Sequence, residues 1–146
     1  MTKAIIFEKF GGPEVLQVVD VPEPHAGPGQ IRLRVTAAGL NPVDWKLASL
    51  PEAAERFGVT LPSGFGADVA GVVDEVGDGV TEFAPGDRVY GGARHRAVAE
   101  FAVLTPGTDS VQHTPDGLPD DAVLIGAAAG GVGVLATSSR SRPEHG

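Results

Sequence analysis

The 146-residue sequence contains no cysteine. No disulfide can brace this fold, and no thiolate can bind a metal. Long apolar runs are missing too. Residues 1–9 hold no segment of signal-peptide length, and nowhere is there the run of about 20 apolar residues that spans a bilayer. A cytoplasmic location is the default expectation. Basic residues are scarce: 11 Lys and Arg stand against 19 Asp and Glu, a formal net charge of −8. That charge confers solubility. It argues against a nucleic-acid or membrane partner, because both call for a basic surface.

What is present suits one ordinary domain with a real core. Hydrophobic residues make up 42% of the chain, enough to fill an interior. With 21 glycines and 12 prolines set between apolar runs, the pattern reads as turns in a strand-rich fold. Residues 3–8 and 15–21 form two such runs, separated by Gly11, Gly12 and Pro13, and predict a hairpin. Residues 22–29 are a Pro/Gly-rich loop. Residues 30–36 then alternate with period two, which puts Ile31, Leu33 and Val35 in the core and Arg32 and Arg34 outside.

Pro42 opens the first helix, over residues 42–48, with Asn41 placed as its cap. Residues 50–64 are irregular, with a helical turn near 52–57. Strands are expected at 68–76, 87–90 and 98–104, with a loop at 77–86 and a polar loop at Arg94, His95 and Arg96. Near residue 118 the pattern changes. A buried-type strand at 121–125 runs straight into a glycine-rich turn at 126–133, and a helix starts at Val134. Strand, glycine turn and helix in that order open a dinucleotide-binding unit. Residues 138–146 lack apolar periodicity and read as a disordered tail.

The most informative pattern is Gly66-Ala67-Asp68-Val69-Ala70-Gly71, followed by Gly77 and Val80. Each glycine alone is compatible with a turn or bulge. Together they resemble the signature of the medium-chain dehydrogenase/reductase superfamily, with Ala67 at the position of its histidine and Asp68 at that of its glutamate. The segment from Ala37 to Lys46 resembles the superfamily's first substrate-side loop. Asn41 stands there where zinc alcohol dehydrogenases carry a metal-binding cysteine. Pro85-Gly86-Asp87-Arg88-Val89 is similar to its Pro-Gly-Asp-x-Val turn. Residues 10–16, Phe10 to Leu16, resemble the zinc-independent quinone oxidoreductase-like branch.

The resemblance implies a mainly β fold. A GroES-like, partly open β-barrel would cover residues 1–118, followed by a Rossmann (α/β) strand–turn–helix fragment at 119–137 and the tail at 138–146. It implies NADPH-dependent, zinc-independent reduction of a quinone or an activated enone, in which the nicotinamide supplies the hydride and the protein positions the acceptor. Catalytic zinc needs three ligands of the Cys, His or carboxylate type, and Asn41 and Ala67 remove two of them. No metal is therefore expected. His25, His95, His113 and His145 are too widely spaced to form a ligand pair and read as surface residues.

Asn41 and Asp44 are the candidates for positioning substrate or cofactor. The Asn41 amide could hydrogen-bond an acceptor carbonyl, and it serves equally as a helix cap. Asp44 matches a family position near the active site, and it is also a favourable acid in a first helical turn. Asp68 could pair with an arginine or stabilise a turn, and Tyr90 reads as packing. For the cofactor, Ala128, Gly130, Gly131, Val132 and Gly133 fit G-x-G-x-x-G with alanine in first place. Gly130 would let the backbone approach a pyrophosphate, Gly133 would allow close helix–strand packing, and the helix start would hold the anion.

Thirteen residues follow Gly133, whereas the ribose-recognising acid lies about 20 residues beyond such glycines. The join near residues 118–122 is also abrupt for the family. A truncated or rearranged product, or an excerpt of a longer protein, is expected, and the choice between NAD and NADP is not encoded here. The alternative to an enzyme is a non-catalytic GroES-like remnant or partner-binding module. The substrate's identity and the oligomeric state are left open.

Overall fold

The computed structural model describes residues 1–117. The expected strand–turn–helix fragment, its glycine turn and the tail lie outside those residues. The fold that is described is mainly β, a GroES-like partly open barrel built from two antiparallel sheets.

The smaller sheet starts with the expected hairpin. Strand β1 (Thr2–Phe7) pairs with β2 (Leu16–Val21) in register from Thr2 opposite Val21 to Phe7 opposite Leu16. A single 3-10 turn at Pro13–Val15 leads into β2 and buries Val15. The third strand, β4 (Ser63–Gly64), is two residues long and pairs with Ile6 and Phe7. That is too short to show periodicity in a sequence.

The larger sheet has the order β7-β3-β5-β6-β8, formed by β3 (Ile31–Gly39), β5 (Asp68–Val76), β6 (Arg88–Gly92), β7 (Phe101–Leu104) and β8 (Val111–His113). Its centre is the long β3–β5 pair, with register shifts between Arg32 and Leu33 and between Val35 and Ala37. Opposite the second shift lies Gly71. A Cβ there would collide with the carbonyl oxygen of Arg34, so the chains approach more closely than a side chain permits.

Residues 97–100 join the two sheets. The N–H of Ile5 donates to the Val98 carbonyl at 3.0 Å, that of Glu100 to Lys3 at 3.0 Å, and that of Val35 to Glu100 at 2.9 Å. One short segment thus hydrogen-bonds to β1 on one side and β3 on the other, which curls two short sheets into a barrel.

Two apolar clusters fill the interior. One lies against the larger sheet and includes Ile31, Leu33, Val69, Val73, Val89 and Leu104. The other includes Phe7, Val15, Leu47, Ala48, Ala54 and Phe65, beneath helices α1 (Pro42–Ser49) and α2 (Pro51–Arg56).

The alternation expected in β3 holds for its apolar face. Ile31 and Leu33 are fully buried, and Val35 packs against the same cluster at partial burial. Arg34 is exposed, as expected. Arg32 corrects the expectation: it is only 9% exposed. Its guanidinium makes two parallel bonds to Asp74, at 2.9 and 3.1 Å, and further bonds to Glu23 at 3.2 Å and the Pro24 carbonyl at 3.0 Å. The Pro/Gly-rich loop thus folds over an outward-facing residue and covers it.

Candidate functional site

The antiparallel β3–β5 pair places Gly39 opposite Asp68. Asn41 follows just past the end of β3, and the chain turns into α1 at Pro42. Two positions 27 residues apart are thereby brought into contact: the Asn41 amide Nδ2 donates to Asp68 Oδ2 at 2.6 Å. Asp68, the first residue of β5, is 2% exposed.

Asp44 joins them from the first turn of α1. Its Oδ2 accepts the Asn41 backbone N–H at 2.8 Å, and its own N–H reaches the Asn41 carbonyl at 2.9 Å. Asp44 is 4% exposed. Burial is the main reason its carboxyl titrates above the usual aspartate range, and the neighbouring charge of Asp68 adds to the rise. The N–H of Asn41 and the charge of His95 oppose it. The two sequence candidates, Asn41 and Asp44, therefore sit together, and Asp68 completes the group.

One half-buried histidine was missed in the sequence. His95, expected at the surface, is half-buried and close enough to Asp44 for their charges to interact. Backbone pairing explains this. Strand β6 runs antiparallel to β5 and ends with Gly92 opposite Asp68. The loop beyond is then laced to residues 66 and 67: Ala93 N–H to the Ala67 carbonyl at 2.7 Å, and Arg96 and Ala97 N–H to the Gly66 carbonyl at 3.1 and 3.2 Å. His95 sits at the tip with φ +58°, a left-handed conformation uncommon for a side-chain-bearing residue. Burial holds its imidazole below the usual histidine range, and Arg94 and Arg96 push the same way. Asp44 opposes the shift. The available sequence signal was the position of this loop directly after a strand that must pair with β5.

The remaining histidines differ. His25 is exposed and meets Glu75 at 3.1 Å, and His113 stacks on Phe83 with ring centroids 4.6 Å apart. His145 lies outside the described residues. Tyr90 donates its hydroxyl to Gln112 at 2.8 Å, away from Asn41.

Positions 41 and 67 carry no side chain of the Cys, His or carboxylate type that catalytic zinc takes. Position 41 offers an amide engaged with Asp68. Position 67 offers only a backbone carbonyl, which accepts from Ala93. Among the described residues no three His, Cys, Asp or Glu side chains form a group able to hold a metal ion. No helix among them is long and apolar enough to cross a membrane. The cofactor candidates Ala128, Gly130, Gly131, Val132 and Gly133 fall outside the described residues.

A buried carboxyl with a raised pKa opposes folding while it is ionised. Stability associated with Asp44 is present below its unfolded pKa, near 3.8, and is lost as pH rises through the higher folded value. Asp44→Asn is therefore expected to stabilise the protein at pH 7, by on the order of 1 kcal/mol as at other functionally constrained positions, and to lose that advantage in acid. Urea unfolding at neutral and acidic pH measures both. A variant less stable than the parent at neutral pH would contradict the assignment.

A model of the alcohol dehydrogenase GroES-like domain matches residues 27–138. Over 93% of its length the chain is 35% identical to a quinone oxidoreductase from Pseudomonas aeruginosa and 31% identical to the human quinone oxidoreductase. It covers 48% of each, so the chain spans about half the length of the curated relatives it matches. Among solved structures, the quinone oxidoreductase from Coxiella burnetii superposes with a TM-score of 0.72 at 35% identity, over 81% of this chain and 38% of that one. The Escherichia coli quinone oxidoreductase complexed with NADPH gives 0.64 at 30% identity, over 80% of this chain and 34% of that one.

Proposed function

Because the chain belongs to the alcohol dehydrogenase GroES-like domain family, in the quinone oxidoreductase-like branch of the medium-chain dehydrogenase/reductase superfamily, we propose that it forms the acceptor-binding side of an NADPH-dependent reductase. The substrate would be a quinone or an activated enone, and no zinc would take part. The observation that carries this reading is the Asn41–Asp68–Asp44 group, with both carboxyls buried, at the point where β3, α1 and β5 meet. Two buried carboxyl groups hold one residue, Asp68 through the Asn41 side-chain amide and Asp44 through the Asn41 backbone N–H, and buried acids grouped in this way suit a functional site better than a stabilising one.

Each residue has a role in this reading. An amide nitrogen has two N–H groups. Asp68 accepts one from Asn41, which fixes the side chain and leaves the other free to hold an acceptor carbonyl. Asp44 holds the Asn41 backbone in place. When bound, the nicotinamide would supply hydride. The residues to hold its pyrophosphate are Ala128, Gly130, Gly131, Val132 and Gly133, and the acceptor would be held against it at near-attack distance.

A second reading applies to the 146-residue chain taken alone. In it these residues form a non-catalytic GroES-like or partner-binding module; the chain spans about half the length of its curated relatives. The expected result is NADPH oxidation with a simple quinone at background rate, unchanged by adding zinc or a chelator. Robust turnover abolished by Gly130→Val would show a complete working site in this chain and overturn the second reading. Turnover that needs zinc would overturn the metal-free assignment.

A further inference from the structure

We infer that a cavity bounded by β1 and residues 95–102 is a binding site for a neutral, single-ring aromatic molecule. The cavity measures about 210 Å³ and is lined chiefly by apolar residues, among them Ala4, Ile6, Val21, Pro24, Ala99 and Phe101. None of Asn41, Asp44 and Asp68 lines it, so the inference does not rest on the acceptor-site reading.

Three features carry it. The first is a strand that is apolar on both faces. Phe7 lies in the smaller core cluster and Ile5 packs against it, whereas Ala4 and Ile6 belong to neither cluster and stay half-buried. Val21, Ala99 and Phe101 are likewise half-buried and outside both clusters. A strand with one face in water normally alternates apolar and polar residues, and β1 does not. The second feature is a floor of small side chains. Ala4 lies opposite Ala99 in an isolated antiparallel bridge. Directly opposed residues share a face, so two methyl groups stand side by side among the larger Ile6, Val21 and Phe101. The third is rigidity of the walls. The Arg32 guanidinium lies 4.6 Å from the Phe101 ring centre and donates to the Pro24 carbonyl at 3.0 Å. Two walls are thus held in place before any ligand arrives, which lowers the ordering cost of binding.

Size and charge define the ligand class. An apolar cavity of about 150 Å³ takes a benzene ring, so 210 Å³ holds one ring with a short substituent. Pockets for drug-sized molecules start at about 300 Å³, beyond what this one offers. No Asp or Glu lines the cavity, so no side chain there carries the negative charge a cation calls for. Two basic residues do line it, His95 and Arg96. The Arg96 guanidinium meets Asp109 at 3.5 Å, and burial holds the His95 imidazole below the usual histidine range. Neither leaves an uncommitted positive charge for an anion. A neutral flat ring brings no charge to desolvate, and it gains contact with the alanine methyls and the Phe101 ring.

The test uses the 146-residue chain and benzyl alcohol, with binding read by proton–carbon NMR of the alanine methyls and thermal melts as a fold control. A ring seated over the floor should move the Ala4 and Ala99 methyl signals through its ring current, and the shift should saturate. Ala99→Leu, which fills the floor, should weaken binding at least about tenfold while the protein stays folded. Ala4→Val supplies the same obstruction should the leucine variant not fold. Benzoate and benzylamine, of similar size but charged, should bind more weakly than benzyl alcohol. Equal or tighter binding of either one would overturn the neutral class. An unchanged affinity in the filled variant, or no methyl shift up to the solubility limit of benzyl alcohol, overturns the inference itself.

Discussion

Arg32→Ala is expected to cost about 2–4 kcal/mol of folding stability, toward the lower range for removing one partner of a buried ion pair. The side chain of Arg32 is 11% exposed, but those of its carboxylate partners Asp74, Glu75 and Glu23 are 27, 31 and 43% exposed, so water screens part of the loss. Against that, one substitution strands three acidic groups together. It also removes the guanidinium lying 4.6 Å from the Phe101 ring centre and the donor to the Pro24 carbonyl. Arg32→Lys should recover only a minor part, because a single ammonium cannot reproduce the two-point contact with Asp74. Urea denaturation of the three proteins measures this. A loss below 1 kcal/mol for the alanine variant would show that the network is a surface ornament of little energetic weight.

The second large effect is expected at Gly71, where two arguments oppose each other. Valine is among the best strand formers, so propensity alone favours Gly71→Val by up to about 1 kcal/mol. The geometry says otherwise. The new Cβ would meet the Arg34 carbonyl oxygen, and the Arg34 carbon and Val35 Cα lie at 3.1 and 3.2 Å. All of these are backbone atoms in the central strand pair, with no side chain to swing aside. Relief would require parting β3 from β5, which carry Leu33, Val69 and Val73 of the larger core cluster. We expect a net loss of about 3 kcal/mol, at the upper end of overpacking costs, read as a depressed thermal midpoint by circular dichroism. A midpoint within two or so degrees of the parent would show that the sheet yields more easily than its contacts suggest.

These two positions also show what the sequence could and could not reveal. The apolar face of β3, the β1–β2 hairpin and the Asn41–Pro42 start of α1 were legible, because each is written in a few adjacent residues. The glycine spacing around residues 66–77 was legible as a resemblance, and Gly71 supplies one physical reason for it in its close backbone approach. Arg32 was misread because its cover comes from Glu23 and Asp74, at distances of 9 and 42 residues. His95 was misread for a similar reason. A polar loop with two arginines looks solvated until strand pairing ties it to Gly66 and Ala67. Strands β4 and β8, at two and three residues, exist only through their partners. The Asn41–Asp44 pair was accessible, but the contact with Asp68 needed the register of β3 against β5.

The chain has one tryptophan and one tyrosine, and the fold separates them. Trp45 sits on α1 beside Asp44, 41% exposed, with its ring tilted 5.4 Å from Phe65 of the smaller cluster. Tyr90 lies on β6 in the larger sheet. Each half of the barrel thus carries its own fluorophore. Indole emission reports the helical half, where the candidate site begins, and phenol emission reports the five-stranded half. If residues 97–100 couple the two sheets into one cooperative unit, both signals lose their native values at the same denaturant concentration. Displaced curves would mean that this seam lets one half open while the other persists, so a ligand meeting α1 could encounter a partly open protein without any change at Tyr90.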